Sequence, residues 1–173
     1  MDRVLFFRLP TFCCKVTTLH LAFSWIAGLV IGSIFSLSAS NMLICVMRAS
    51  VFSRLSIFGL LSVLALPMLF SAFAVYISQP VLLIPIAFCK AFLFSYTSIG
   101  ILTAFGSAGW LIHLLFMFGD ILTLPLLWYF WSKFLSDNCS HAIRCLLPIL
   151  ITAAFIGYTE YRVISPFLAN LIS

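Results

Sequence analysis

The stretch VLLIPIAFCKAFLFSYTSIGILTAF, at residues 81–105, decides the fold, because it contains a single charged side chain, Lys90, in 25 residues. An α-helix needs about 20 mainly apolar residues to cross the hydrocarbon core of a bilayer. The stretch therefore predicts a membrane-spanning helix.

The rest of the chain has the same character. Of its 173 residues, 64% are apolar and 8% are charged, and the mean hydropathy is +1.25. Soluble domains contain roughly 45–50% apolar and about 25% charged residues. We therefore predict one integral membrane domain over residues 1–173. Its fold class is all-α, a polytopic transmembrane helix bundle with no room for a soluble catalytic domain.

Five membrane spans are predicted from the apolar segments. They cover residues 16–38, 57–77, 81–105, 108–131 and 145–167. Residues 40–55 mix Arg48 and Arg54 with apolar side chains, which suits an amphipathic helix at the interface. Residues 133–144 are the most polar segment and are expected to form a loop.

The basic residues predict the orientation in the cell membrane. Arg3, Arg8, Lys15, Lys133 and Arg144 share one side of a five-span topology, and Arg48 and Arg54 lie on the other. Lys and Arg accumulate on the cytoplasmic side. The N-terminus is therefore expected in the cytoplasm and the C-terminus outside.

Small residues recur every fourth position in the first span. This small-residue stripe consists of Ser24, Gly28, Gly32 and Ser36. Such spacing lets another helix backbone approach closely. Packing against a neighbouring helix of the same chain is one interpretation, with the last span as the candidate because Ala153 and Gly157 repeat the spacing. A homo-oligomer or partner interface is the other. Gly106 and Gly109 mark a tight turn between spans three and four.

Two ionisable residues lie deep in predicted spans. Lys90 is sixteen residues before the turn at Gly106 and Asp120 is fourteen residues after it. At 1.5 Å per residue, both lie roughly 21–24 Å from the turn. Charges in hydrocarbon are costly unless paired, so we expect an intramembrane Lys90–Asp120 pair. It could be a structural clamp or part of an ion or proton relay.

Glu160 and Arg162 are expected as a polar cluster at the outer end of the last span, where Arg162 can extend toward water. The histidines are far apart, and we recognise no zinc, nucleotide or hydrolase motif. The sequence therefore predicts no catalytic residue, no metal and no cofactor. Because most of the basic residues sit at span ends, membrane lipid is the expected partner and nucleic acid is not.

Several motifs resemble the stage II sporulation protein M family of integral membrane proteins. They are Leu66-Pro67-Met68-Leu69-Phe70, Phe88-Cys89-Lys90-Ala91-Phe92, Gly100, the turn Phe105-Gly106-Ser107-Ala108-Gly109, and Tyr158-Thr159-Glu160 before Ser165-Pro166. The resemblance covers roughly residues 60–166.

This resemblance implies a non-enzymatic membrane scaffold that assembles cell-wall (peptidoglycan) remodelling partners during sporulation, such as a hydrolase or another envelope protein. The alternative from the residues themselves is a small transporter or a permease-like subunit of an ATP-driven transporter that uses Lys90 and Asp120.

Overall fold

The protein is described by a computed structural model covering residues 16–38, 57–77, 79–106, 109–136, 139–164 and 166–167. Within these ranges, the side chains of residues 57–65, 116 and 139–145 are left out of the description. The predicted interfacial helix at 40–55 lies outside the described residues, as do Arg3, Arg8 and Lys15.

All elements in the described ranges are helical. They are α1 (Thr18–Leu37), α2 (Ile57–Tyr76), a 3₁₀ turn (Pro80–Leu82), α3 (Leu83–Phe105), α4 (Gly109–Phe116), α5 (Phe118–Ser136), α6 (Cys139–Thr159) and a π-helical turn (Glu160–Ile164). The predicted all-α class is therefore confirmed for the described residues, and the helices are compatible with a membrane location.

Three helices are long and apolar enough to cross a membrane, and a bent pair gives a fourth crossing if it counts as one span. The three are Thr18–Leu37, Pro80–Phe105 and Leu146–Ile164. In α2, the part with described side chains is Leu66–Tyr76, an apolar segment shorter than these three helices. Large apolar side chains such as Phe23, Phe73 and Phe155 are exposed on these helices, as expected for surfaces solvated by lipid.

The fourth predicted span is not one straight helix. It consists of α4 and α5, which meet near Met117 at an angle of 46°. Backbone hydrogen bonds continue through the bend, since Met117 N–H donates to the His113 carbonyl and Ile121 N–H donates to the Met117 carbonyl, both at 2.9 Å. The helices also extend into the expected loop at 133–144, because α5 continues to Ser136 and α6 begins at Cys139.

Helices α1 and α3 run parallel to each other in close contact. Ser24 Oγ donates to the Ile84 carbonyl at 2.7 Å, and Ser36 Oγ donates to the Tyr96 carbonyl at 3.0 Å. Each pair is separated by 60 positions. A constant difference in residue number is the signature of parallel helices, so α1 and α3 cross the bundle in the same direction.

The buried apolar residues form two clusters. The Trp131 cluster consists of Leu21, Met68, Ala74, Val75, Leu83, Ala87, Leu127, Phe130, Trp131, Phe134, Ile149 and Ala153. The Met117 cluster consists of Ile101, Ile112 and Met117. The Trp131 cluster joins the start of α1 and α3 to the end of α2 and α5, as expected for helices that alternate in direction. The bundle therefore has a Trp131 end and a Met117 end.

Candidate functional site

Lys90 of α3 and Asp120 of α5 form an ion pair inside the bundle. Lys90 Nζ donates a hydrogen bond to Asp120 Oδ1. The two side chains retain only 6% and 3% of their exposure. Removing charges from water is costly unless they neutralise each other, and the two groups do so here.

The pair lies near the middle of the apolar span Pro80–Phe105. Lys90 is ten residues from its start and fifteen from its end, which places it about 4 Å from the midpoint at 1.5 Å per residue. Along α3, Lys90 follows Ala87 of the Trp131 cluster and precedes Ile101 of the Met117 cluster. The charges therefore lie between the two apolar clusters.

The bend in the fourth span also favours a charged Asp120. Asp120 lies in the first turn of α5, where the helix dipole favours a negative charge. Thr123, one turn later, is also buried, and its Oγ1 is satisfied by the Gly119 carbonyl at 2.8 Å. The carboxylate is thus stabilised by Lys90 and by the end of its own helix.

Glu160 and Arg162 are separated by the structure. Glu160 is 4% exposed and begins the π-helical turn, whereas Arg162 is exposed. The two residues therefore do not share one polar surface, and Glu160 belongs to the interior of the bundle. Lys90, Asp120 and Glu160 are the buried charged side chains of the described residues.

The small-residue stripe is covered by α3. A Cβ atom on Gly28 would lie 2.5 Å from the Phe88 carbonyl oxygen, and one on Gly32 would lie 2.5 Å from the Phe92 carbonyl oxygen. The stripe therefore packs within the chain. Its neighbour is the third predicted span and not the last, so the suggested contact of Gly28 and Gly32 with the last span is wrong.

The expected turn at Gly106 and Gly109 has a clear physical basis. Gly106 ends α3 with a φ of +58°, a conformation that glycine adopts far more readily than other residues. Gly109 begins α4 against α3, where an added Cβ would meet the Leu102 Cα at 3.1 Å. Glycine thus permits both the turn and the close return of the chain.

Two polar contacts were not foreseen from the sequence. Trp131 is 1% exposed, and its Nε1–H donates to Ser71 Oγ at 2.8 Å. Ser33 of α1 and Ser95 of α3 share a hydrogen bond of 2.6 Å. Both contacts depend on which helices are neighbours, and the local sequence does not contain that information.

His113 of α4 is a further unforeseen feature. Both of its ring nitrogens are buried and have no hydrogen-bond partner within the described part of the chain. Over the same residues, no group of three His, Cys, Asp or Glu side chains has a geometry that could hold a metal ion. Chemically, the described residues offer a neutralised charge pair, a third buried acid and one imidazole.

No family model, curated protein or solved structure matches the chain.

Proposed function

We propose that this protein is a non-enzymatic membrane scaffold of the stage II sporulation protein M type, which assembles peptidoglycan-remodelling partners. The observation that carries the proposal is the Lys90–Asp120 pair, buried to 6% and 3% exposure between two apolar clusters. A transport site must open to water during its cycle. A buried, neutralised pair is better suited to fixing the position of one helix against another.

The close α1–α3 contact supports the same function. Its glycines admit the α3 backbone at distances that leave no space for a Cβ, so α1 cannot slide or tilt along α3 without losing that fit. A rigid frame with lipid-facing apolar surfaces suits a protein that positions others. The family-like motifs are the sequence support for the choice of partners.

We also propose five crossings in the cell membrane, with the N-terminus in the cytoplasm and the C-terminus outside. Because α1 and α3 are parallel, the chain has to return across the bundle between them, and α2 (Ile57–Tyr76) is the helix in that interval. Lys133, in the last turn of α5, is then cytoplasmic, in agreement with the distribution of positive charge.

Thiol labelling of intact cells tests this topology. In variants with a single cysteine, a membrane-impermeant maleimide should label Cys45 directly and should label Ser136→Cys only after the cells are permeabilised. Direct labelling of both positions, or of neither, would contradict five crossings.

Photo-crosslinking in native cells tests the scaffold. A crosslinking amino acid at Phe23 or Tyr158, both more than half exposed, should capture peptidoglycan-remodelling enzymes. The matched control is Leu21, which is 1% exposed. If the exposed positions yield no cell-wall or envelope protein beyond those found with Leu21, the scaffold proposal fails.

One observation favours the alternative, a small transporter or a permease-like subunit. Asp120 follows a bend in a membrane helix, and transporters place binding sites at discontinuous helices near the midplane. The variant Lys90→Met/Asp120→Leu separates the two functions, because it removes the charges without leaving one unpaired. A scaffold should keep its crosslinked partners in this variant, whereas a transporter should lose flux in reconstituted vesicles.

A further inference from the structure

Four aromatic rings form a continuous ladder beside the α1–α3 contact. This aromatic ladder consists of Phe35 of α1 and Phe88, Phe92 and Tyr96 of α3. The Phe92 ring stacks with Tyr96 at a centroid distance of 5.9 Å and with Phe88 at 6.3 Å, and Phe35 meets it edge-on at 5.9 Å. Phe35 is 59% exposed and the three rings of α3 are half-buried. The ladder is therefore open on one side to the surroundings of the bundle.

The backbone that carries the ladder is held by α1. The carbonyls of Phe88 and Phe92 lie against the glycines of the small-residue stripe, and the carbonyl of Tyr96 accepts the hydrogen bond from Ser36 Oγ at 3.0 Å. The three ladder residues of α3 are thus residues whose carbonyls α1 contacts. A surface fixed in advance loses less entropy when a partner binds. The small-residue stripe, instead of forming an outer interface itself, positions the rings beside it.

The hydroxyl of Tyr96 differs from the other hydroxyl groups of α3. It makes no hydrogen bond within the described part of the chain. Because it is not one of the buried polar atoms without a partner, which belong to His113, its oxygen lies at the surface of the bundle. The other hydroxyl side chains of α3 each make a hydrogen bond, and they are Ser95, Thr97, Ser98 and Thr103.

The Tyr96 hydroxyl lies too deep in the membrane for water to be its partner. Tyr96 is sixteen residues from the start of the apolar span Pro80–Phe105 and nine from its end. At 1.5 Å per residue, its Cα lies about 5 Å from the midpoint and roughly 13–14 Å from the nearer end. Helical side chains lean toward the N-terminus of their helix, which for Tyr96 is toward the midpoint. A hydroxyl in hydrocarbon without a hydrogen bond is unfavourable, so this position favours a polar partner within the membrane.

We infer that the aromatic ladder is the surface on which two copies of this chain associate, with their Tyr96 hydroxyls hydrogen-bonded to each other. Copies with the same topology are related by a two-fold axis along the membrane normal, and a two-fold interface uses the same patch of both. The two hydroxyls then meet at one depth. A tyrosine hydroxyl both donates and accepts, so the pair needs no further polar group. The surrounding rings supply the offset and edge-to-face contacts that aromatic pairs prefer. This inference does not depend on the scaffold function.

Single-molecule photobleaching of the full chain in vesicles of phosphatidylethanolamine and phosphatidylglycerol tests the inference. The chain carries one fluorophore at Ser136→Cys, at the end of α5, in a background without other cysteines. The fraction of vesicles that bleach in two steps is followed as the protein-to-lipid ratio falls. Tyr96→Phe removes only the hydroxyl and keeps the ring that stacks on Phe92. The matched control is Tyr129→Phe, at a tyrosine of α5 that is 50% exposed.

The unmodified chain should dimerise, and Tyr96→Phe should raise the dimer dissociation constant about 3- to 30-fold, the range for one interhelical hydrogen bond in a membrane. Tyr129→Phe should leave this constant unchanged. A chain that stays monomeric at every ratio overturns the inference, and the ladder then faces lipid or a different protein. A Tyr96→Phe chain that dimerises as tightly as the unmodified chain, or a Tyr129→Phe chain weakened equally, also overturns it.

Disulfide crosslinking locates the interface in the same vesicles. It is carried out at a protein-to-lipid ratio at which the Tyr96→Phe chain is still dimeric, so that loss of the hydroxyl does not itself prevent the contact. Tyr96→Cys, as the single cysteine, should crosslink the two copies. The control is Phe155→Cys, at a residue that is 70% exposed in the middle of the apolar segment Leu146–Ile164, and it should not crosslink. Equal crosslinking at both positions, or none at Tyr96→Cys, overturns the inference.

Discussion

Helix α3 is held by two contacts of opposite chemistry. Against α1 it presents backbone carbonyls to glycines and serines, with no charge involved. Against α5 it presents a long charged side chain to a buried carboxylate. The first contact depends on shape and the second on charge neutralisation, so they should respond differently to substitution.

The largest loss of stability is expected when only one member of the Lys90–Asp120 pair is replaced. Lys90→Met removes the cation that neutralises Asp120, and removal of one member of a buried pair costs about 3–5 kcal/mol. The free energy of unfolding, measured in mixed micelles, should fall by that amount.

The matched control is Lys90→Met/Asp120→Leu, which replaces both charges with apolar groups of similar size. Such a replacement is often neutral or stabilising, so the double variant should regain most of the lost stability. A double variant that is as unstable as Lys90→Met would mean that the two residues do not act as a pair.

A smaller loss is expected from filling the α1–α3 contact. Gly28→Ala and Gly32→Ala each place a Cβ 2.5 Å from a carbonyl oxygen of α3, and overpacking of this kind costs about 1–3 kcal/mol. Ala27→Val, at an exposed position next to Gly28, is the control and should be close to neutral.

Trp131→Phe tests the contact between α5 and α2. It removes the hydrogen bond to Ser71 while keeping an aromatic ring in the core, and a typical hydrogen bond contributes about 0.5–1.5 kcal/mol. Unfolding followed by circular dichroism should show a loss in this range. Ser71 Oγ also donates to the Pro67 carbonyl at 2.6 Å, so Ser71→Ala should give a similar value if the two residues act together. If the losses of Trp131→Phe and Ser71→Ala add up in the variant that carries both substitutions, the two residues do not act together.

The smallest effect is expected for the neutral hydrogen bond between Ser33 and Ser95. Interhelical hydrogen bonds in membranes contribute on average about 0.6 kcal/mol, and Ser33 Oγ also donates to the Leu29 carbonyl at 2.8 Å. Ser33→Ala should therefore lower the unfolding free energy only slightly. A loss as large as that of Gly28→Ala would show that hydrogen bonding, and not close packing, holds α1 to α3.

The two contacts also differ in how far the sequence predicts them. Lys90 and Asp120 could be matched from the sequence, because a buried charge requires an opposite charge at similar depth. The stripe at Gly28 and Gly32 indicates only that some backbone comes close, since any helix has carbonyls to offer. Its assignment to the last span was wrong for this reason.

Other features depended on three-dimensional neighbours in the same way. The apolar runs predicted the helices but not the bend near Met117, although Gly119 lies two residues after it. Glu160 and Arg162 are only two positions apart in the sequence, yet one is buried and the other is exposed. Which of them faces inward depends on how α6 packs, and their spacing alone does not determine it.

The parallel register of α1 and α3 has a consequence for biosynthesis. The residues that cover the small-residue stripe lie 60 positions later in the chain. At about 5–20 residues per second, α1 is made roughly 3–12 seconds before the segment that covers it. During that interval α3 has not yet been made and cannot cover the glycines. A substitution that makes the stripe bulkier should therefore act late, when α3 arrives, and leave the membrane insertion of α1 itself unaffected.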